Sequence, residues 1–202
     1  MQTYINPKLS DWSALTSRPT KEAQDLQKIV LDVFEKIQSE KDKALIDFTE
    51  KFDKVKLSSL EVSTEEIEEA KPLISEELKQ AIQLAASNIE KFHSVQREEI
   101  KVIETTKGVN CWRESRGIEN VGIYIPGGTA PLFSTTLMLG IPAKLAGCEN
   151  IILCTPPNKS GKVHPAILYT ANLIGIEKIY KVGGIQAIGA LTFGTETIQK
   201  VD

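Results

Sequence analysis

Apolar residues along the first part of the chain recur at helical spacing. Leu26, Ile29, Val30, Val33, Phe34 and Ile37 fall three and four apart after Pro19-Thr20, which places one apolar stripe on a helix. A second helix carries Ala44, Leu45, Phe48 and Phe52. Ser63 and Glu66 have the spacing of a capping box, and they open a short helix that Pro72 ends or interrupts. Ser75, followed by Glu76 and Glu77, starts a long helix whose stripe is Leu78, Ile82, Ala85, Ile89 and Phe92. The Lys and Glu residues between the stripes read as solvated faces, because charged side chains are rarely buried. Each stripe needs a partner surface, in this chain or in another subunit.

The pattern changes after residue 98. Segments 100–104 and 109–113 flank 105–108, which ends in Gly108, and read as a β-hairpin. From Ile118 onward strand-like and helix-like stretches alternate. The strands are expected at 121–125, 151–154 and 178–182, and the helices at 134–146, 164–173 and 186–193. Short strands separated by helices imply parallel pairing with right-handed crossovers. The fold class is therefore α/β: a helical N-terminal segment, then an incomplete, Rossmann-like, three-layer domain on a parallel sheet. The expected division is 1–117, helices plus hairpin, and 118–202, the α/β part. Ligands on such sheets bind outside the carboxyl ends of the strands, here 124–128, 155–157 and 183–186.

Composition narrows the partners. A chain of 202 residues, 41% hydrophobic and 25% charged, fits one large or two small globular domains. A net charge of −3 gives no electrostatic reason to expect nucleic acid or an anionic membrane. No apolar run is long enough to span a bilayer, and Pro142 interrupts the longest candidate. The N-terminus lacks the basic start and apolar core of a secretory signal. Cys111, Cys148 and Cys154 form neither a metal-like spacing nor an even disulfide set, so reduced thiols and a cytoplasmic location are expected.

Candidate ligand-binding residues cluster at the strand ends. Pro126-Gly127-Gly128 is a tight turn or a place where backbone approaches a ligand, and it is not the GxGxxG dinucleotide fingerprint. Any dinucleotide is thus expected to bind in a nonstandard way. Tyr124 is either a buried aromatic whose hydroxyl finds a partner or a ring against a cofactor. Gln186, after Gly183-Gly184-Ile185, is either a solvated first-turn residue or an amide aimed at a ligand. His93 and His164 read as surface or locally bonded histidines, since metal sites need several convergent ligands. Lys144 reads as a helix-face lysine. Ser134, Thr135 and Thr136 are helix-start residues. Cys154 ends a strand, and without an identifiable base it reads as a small buried hydrophobe.

The longer motifs carry a resemblance. Residues 121–128 (VGIYIPGG), 130–139 (APLFSTTLML), 142–148 (PAKLAGC), 153–157 (LCTPP), 182–188 (VGGIQAI) and 193–202 (FGTETIQKVD) resemble histidinol dehydrogenases. Asp42-Lys-Ala-Leu45, Lys51-Phe-Asp-Lys54 and Asn88-Ile-Glu-Lys-Phe-His93 agree as well. The resemblance spans nearly the whole chain, with its motifs in order. It implies a zinc- and NAD-dependent homodimeric enzyme of histidine biosynthesis. Such enzymes oxidise L-histidinol to L-histidine, through histidinal, with two NAD. By the same resemblance Tyr124 and Gln186 match cofactor-binding positions. An asparagine in a Gly-Pro-Gly-Asn turn, the zinc ligands and the glutamate–histidine pair that moves protons are expected after Asp202. The chain then reads as an N-terminal portion with no catalytic or metal residue of its own. The alternative is a stand-alone nucleotide-binding or assembly module without catalysis. A different alcohol- or aldehyde-oxidising enzyme would need a nucleophile at a strand end, and Cys154 alone is placed for that.

Overall fold

The computed structural model describes residues 3–17, 23–128 and 131–202. Pro19 and Thr20 lie outside these. Eight helices and five strands follow in order: α1 Trp12–Thr16, α2 Ala23–Glu40, α3 Asp42–Asp53, α4 Thr64–Ala70, α5 Glu76–Ser94, β1 Ile103–Thr106, β2 Val109–Cys111, β3 Asn120–Tyr124, α6 Phe133–Leu145, β4 Asn150–Cys154, α7 Pro165–Leu173, β5 Lys178–Tyr180 and α8 Gly184–Phe193.

Strands β3, β4 and β5 form a parallel sheet in that order, and Tyr124, Cys154 and Tyr180 share one rung at its carboxyl edge. Side chains alternate across the sheet as the pleat requires. Ile152, Cys154 and Tyr180 join a cluster with Val33 and Ile37 of α2, Leu45 and Phe48 of α3, and Ala187, Ala190 and Leu191 of α8. Ile123, Leu153 and Ile179 face the other way, toward Ile67 of α4, Ile82 of α5, Leu137 and Ile141 of α6, and Ile167 and Leu168 of α7. The result is a three-layer α/β arrangement. Its N-terminal helices supply the partner surfaces that their stripes needed, and they cover both faces of the sheet.

Residues 60–62 add a short antiparallel edge to β5. The Val62 N–H donates to the Ile179 carbonyl at 2.9 Å, and the Lys181 N–H donates to the Leu60 carbonyl at 2.7 Å. Beside this edge the Lys181 ammonium meets the Glu66 carboxylate at 3.0 Å. Glu66 also completes the capping box expected of α4: the Ser63 N–H donates to Glu66 Oε2 and the Glu66 N–H donates to Ser63 Oγ. Farther along, Asp42 and Glu196 tie α3 to the segment after α8. The Asp42 N–H donates to Glu196 Oε2 at 2.9 Å, while the Asp42 carboxylate accepts from both the Thr197 N–H and its hydroxyl.

Several sequence expectations shift. The hairpin strands run to Thr106 and restart at Val109, because Gly108 takes φ +83° in a two-residue turn. Leu26, Ile29, Phe52 and Phe92 stay exposed although they continue their stripes, since the ends of α2, α3 and α5 project past the layers they cover. Helix α6 starts at Phe133 with Leu132 as its cap residue, so Ser134, Thr135 and Thr136 lie inside its first turn. It continues through Pro142. Helix α8 begins at Gly184, two residues before the expected start. No helix among the described residues is long and apolar enough to cross a membrane.

Candidate functional site

The carboxyl ends of the three parallel strands converge on one proline. A methyl group at Gly127, after β3, would lie 2.4 Å from Pro156 Cγ. One at Gly183, after β5, would lie 2.5 Å from Pro156 Cβ. Both distances are below any real Cβ contact, so Pro156 fits only because glycine stands on either side of it. The Gly-Gly pairs noted in the sequence thus let the loops interlock, and this brings backbone to the rim of a cavity.

That cavity has a volume of about 510 Å³, and its wall includes Asp53, Tyr124, Gly127, Pro156, His164 and Gly184. The size suits a small ligand or part of a cofactor. Tyr124 stands at the wall. Its phenol oxygen accepts a hydrogen bond from the Gly184 N–H at 3.0 Å, which occupies the first free donor of α8. The hydroxyl hydrogen remains available to donate into the cavity. The hydroxyl of Tyr124 therefore finds a partner, and the residue also fronts open space.

Gln186 does not reach the wall. It is 2% exposed, and its amide lies over Gly184, where a Cβ would meet Oε1 at 2.9 Å. Gly184 has φ +63°, a second reason for glycine there. Among the described residues the Gln186 amide has no hydrogen-bond partner. It sits one residue behind the rim, on the element that Tyr124 holds.

The remaining candidates separate cleanly. His164 caps α7: its Nδ1 accepts from the Ala166 N–H at 3.2 Å, and the same residue edges the cavity. His93 bonds Gln96 at 2.9 Å on a different face of the molecule. Lys144 donates to the Ile174 carbonyl at 2.6 Å, beside a second cleft of about 600 Å³ between α5, α6 and α7. That cleft lies at the amino ends of the strands, away from the ligand-binding edge of a parallel sheet. Cys154 is buried, and desolvation pushes its thiol up to about 12. At neutral pH it is an inert thiol, which removes the strand-end nucleophile that a different oxidising enzyme would need. No group of three or more His, Cys, Asp or Glu among the described residues is placed to hold a metal ion.

Asp53 and Asn158 also line the cavity without having been singled out from sequence as site residues. Asn158 is committed locally, since its side-chain oxygen accepts from the Ser160 and Lys162 N–H groups and shapes the loop. Asp53 is different. Its Oδ2 is buried without a partner, and burial pushes its carboxyl above the ordinary carboxylate range. No periodicity marks a single acid at a helix end as buried.

Comparison with known proteins matches this arrangement to one family. The histidinol dehydrogenase family model matches residues 16–202. A histidinol dehydrogenase of Bacteroides thetaiotaomicron is 54% identical over 201 residues, covering all of this chain and 47% of its own length. One from Mannheimia succiniciproducens is 52% identical over 205 residues, with the same coverage. The crystal structure of histidinol dehydrogenase from Elizabethkingia anophelis superposes with a TM-score of 0.91 at 70% identity, covering the whole chain and 47% of that structure. The chain spans about half the length of the curated relatives it matches. Family model, relatives and solved structure agree from residue 16 to residue 202, and the chain belongs to the histidinol dehydrogenase family.

Proposed function

We propose that this chain is the N-terminal portion of an enzyme that oxidises L-histidinol to L-histidine, through histidinal, with two NAD, and that it holds part of the NAD site. The cavity at the carboxyl ends of β3, β4 and β5 carries this reading. Much of its rim is glycine and proline, which lets a flat cofactor approach closely, and Tyr124 and Asp53 are among the polar groups that front it. The Gln186 amide, just behind Gly184 and without a hydrogen-bond partner among the described residues, fits the same use.

NAD, when bound, supplies the hydride acceptor. The residues present here bind and orient. Tyr124 fixes the start of α8 and offers a hydroxyl. Gln186 offers an amide once the rim opens toward it. Pro126, Pro156 and Pro157 exclude water. The described residues do not fit zinc, having no convergent ligand set. We place the zinc ligands, the glutamate–histidine pair and the homodimer contacts in the part of the enzyme that the relatives have beyond this stretch. The division at 117/118 and a cytoplasmic location belong to the same proposal.

Calorimetric titration of the 202-residue chain with NAD tests the reading. Tyr124→Phe removes the acceptor of the Gly184 N–H and is expected to weaken binding about fivefold, the worth of one hydrogen bond. Tyr124→Ala and Gln186→Ala are expected to weaken it further. Equal affinity in all four proteins would place the cofactor elsewhere. A separate expectation concerns turnover. With histidinol, NAD and zinc supplied, this chain alone forms no NADH above background, and steady NADH production would show that it holds the proton-transfer groups after all.

A further inference from the structure

Asp53 is costly to the fold in two ways. It is the last residue of α3, where the negative end of the helix dipole disfavours a carboxylate. Lys54 follows in the left-handed conformation at φ 60°, ending the helix there. The Oδ2 atom is buried with no hydrogen-bond partner, and among the described residues no lysine or arginine pairs with the carboxylate. Among the described residues Thr136 Oγ1 is the other buried oxygen without a partner, but Thr136 is not part of the cavity wall, whereas Asp53 is. Asp53 thus stands on the wall of an open cavity with no hydrogen-bond donor on its carboxylate among the described residues, and a ligand there can supply the donors.

The wall limits what that ligand offers. Among the described residues it contains no lysine or arginine, and its one formal charge there is Asp53. The ligand group facing Asp53 must therefore bring hydrogen-bond donors and no negative charge. A carboxylate with two free acceptor directions matches two adjacent hydroxyls. Resting on the NAD reading above, we infer that Asp53 accepts the vicinal hydroxyls of a ribose of the bound dinucleotide. In the usual dinucleotide fold an acid with this task follows the first βα unit on the same sheet. Here it comes from the end of α3, more than sixty residues before β3 ends.

The test is NAD titration of the wild-type chain and Asp53→Asn, with thermal melting of each protein without ligand. Asp53→Asn keeps the shape and removes the charge. It is expected to weaken NAD about tenfold, as for hydrogen bonds to a charged group, while the ligand-free protein melts no lower than wild type. Titration with AMP and with nicotinamide mononucleotide assigns the ribose: the one weakened by Asp53→Asn carries the diol that Asp53 holds, and 2′-deoxy-AMP is expected to bind both proteins alike if that ribose is the adenosine one. Unchanged NAD affinity in Asp53→Asn overturns the inference and leaves the NAD site standing. A lower melting temperature for Asp53→Asn without ligand overturns it too, because the carboxylate would then be serving the fold. Failure of the wild-type chain to bind NAD overturns the site and the inference together.

Discussion

Gly183→Ala is expected to cost about 1–3 kcal/mol and to destroy the geometry of the strand-end loops. The added methyl meets Pro156 at Cβ, 2.5 Å away, and at its backbone Cα, 3.2 Å away. A proline on an anchored loop yields little, so the strain of overpacking appears nearly in full. For a chain of this size each kcal/mol lowers the melting temperature by roughly 2–4 °C. Gly127→Ala meets the same proline from the other side, but at the ring Cγ, 2.4 Å away. The two substitutions should therefore respond differently to Pro156→Ala. That change removes the ring but keeps Cβ and Cα. It should relieve Gly127→Ala and leave Gly183→Ala destabilised. Thermal melts of the singles and doubles read the couplings directly. Equal rescue of both would mean that the loops are not wedged around Pro156 as described.

Ile37→Ala is expected to destabilise the whole chain by about 3 kcal/mol, within the usual span for a fully buried aliphatic residue cut to alanine. Ile37 is completely buried, and its Cδ1 lies 2.6 Å from where a Cβ on Gly189 of α8 would stand. It is the point at which α2 packs on α8. Its cluster includes Ile152, Cys154 and Tyr180 from the sheet, so loss of α2 packing strips one face of β4 and β5. Hydrogen exchange should show the amides of β4 losing protection together with those of α2. Loss confined to α2 and α3 would show instead that the helices are a separately folding unit resting on an independent sheet.

Much of the fold was legible because it is local. The capping box of Ser63 and Glu66, the cap at Ser75 and the three parallel strands all follow from spacing within a few residues. The site was legible to the level of its strand ends, where the structure opens a cavity with Tyr124 on its wall and Gln186 buried behind Gly184. What sequence reading missed is contact between distant segments. Glu66 meets Lys181 across 115 positions, and Asp42 meets Thr197 across 155. Residues 60–62 pair with β5, though Leu60 to Val62 is too short to show a strand period. Asp53 looked like one more charge on a polar helix, because only the packed structure shows that its Oδ2 has lost water without gaining a partner. Stripe residues such as Phe52 and Phe92 mislead in the opposite sense, since periodicity marks a face and says nothing about how far along it the neighbouring layer extends.

The central claim is that the dinucleotide sits at the carboxyl ends of β3, β4 and β5. Backbone amide NMR of the ¹⁵N-labelled chain titrated with NAD tests it most directly. The expected result is a set of shifts concentrated at Gly127, Thr155, Gly184 and the first turn of α8, with the amides around Lys144 and Gly175 unmoved. Shifts centred on the cleft between α5, α6 and α7, or none at saturating NAD, would contradict the account.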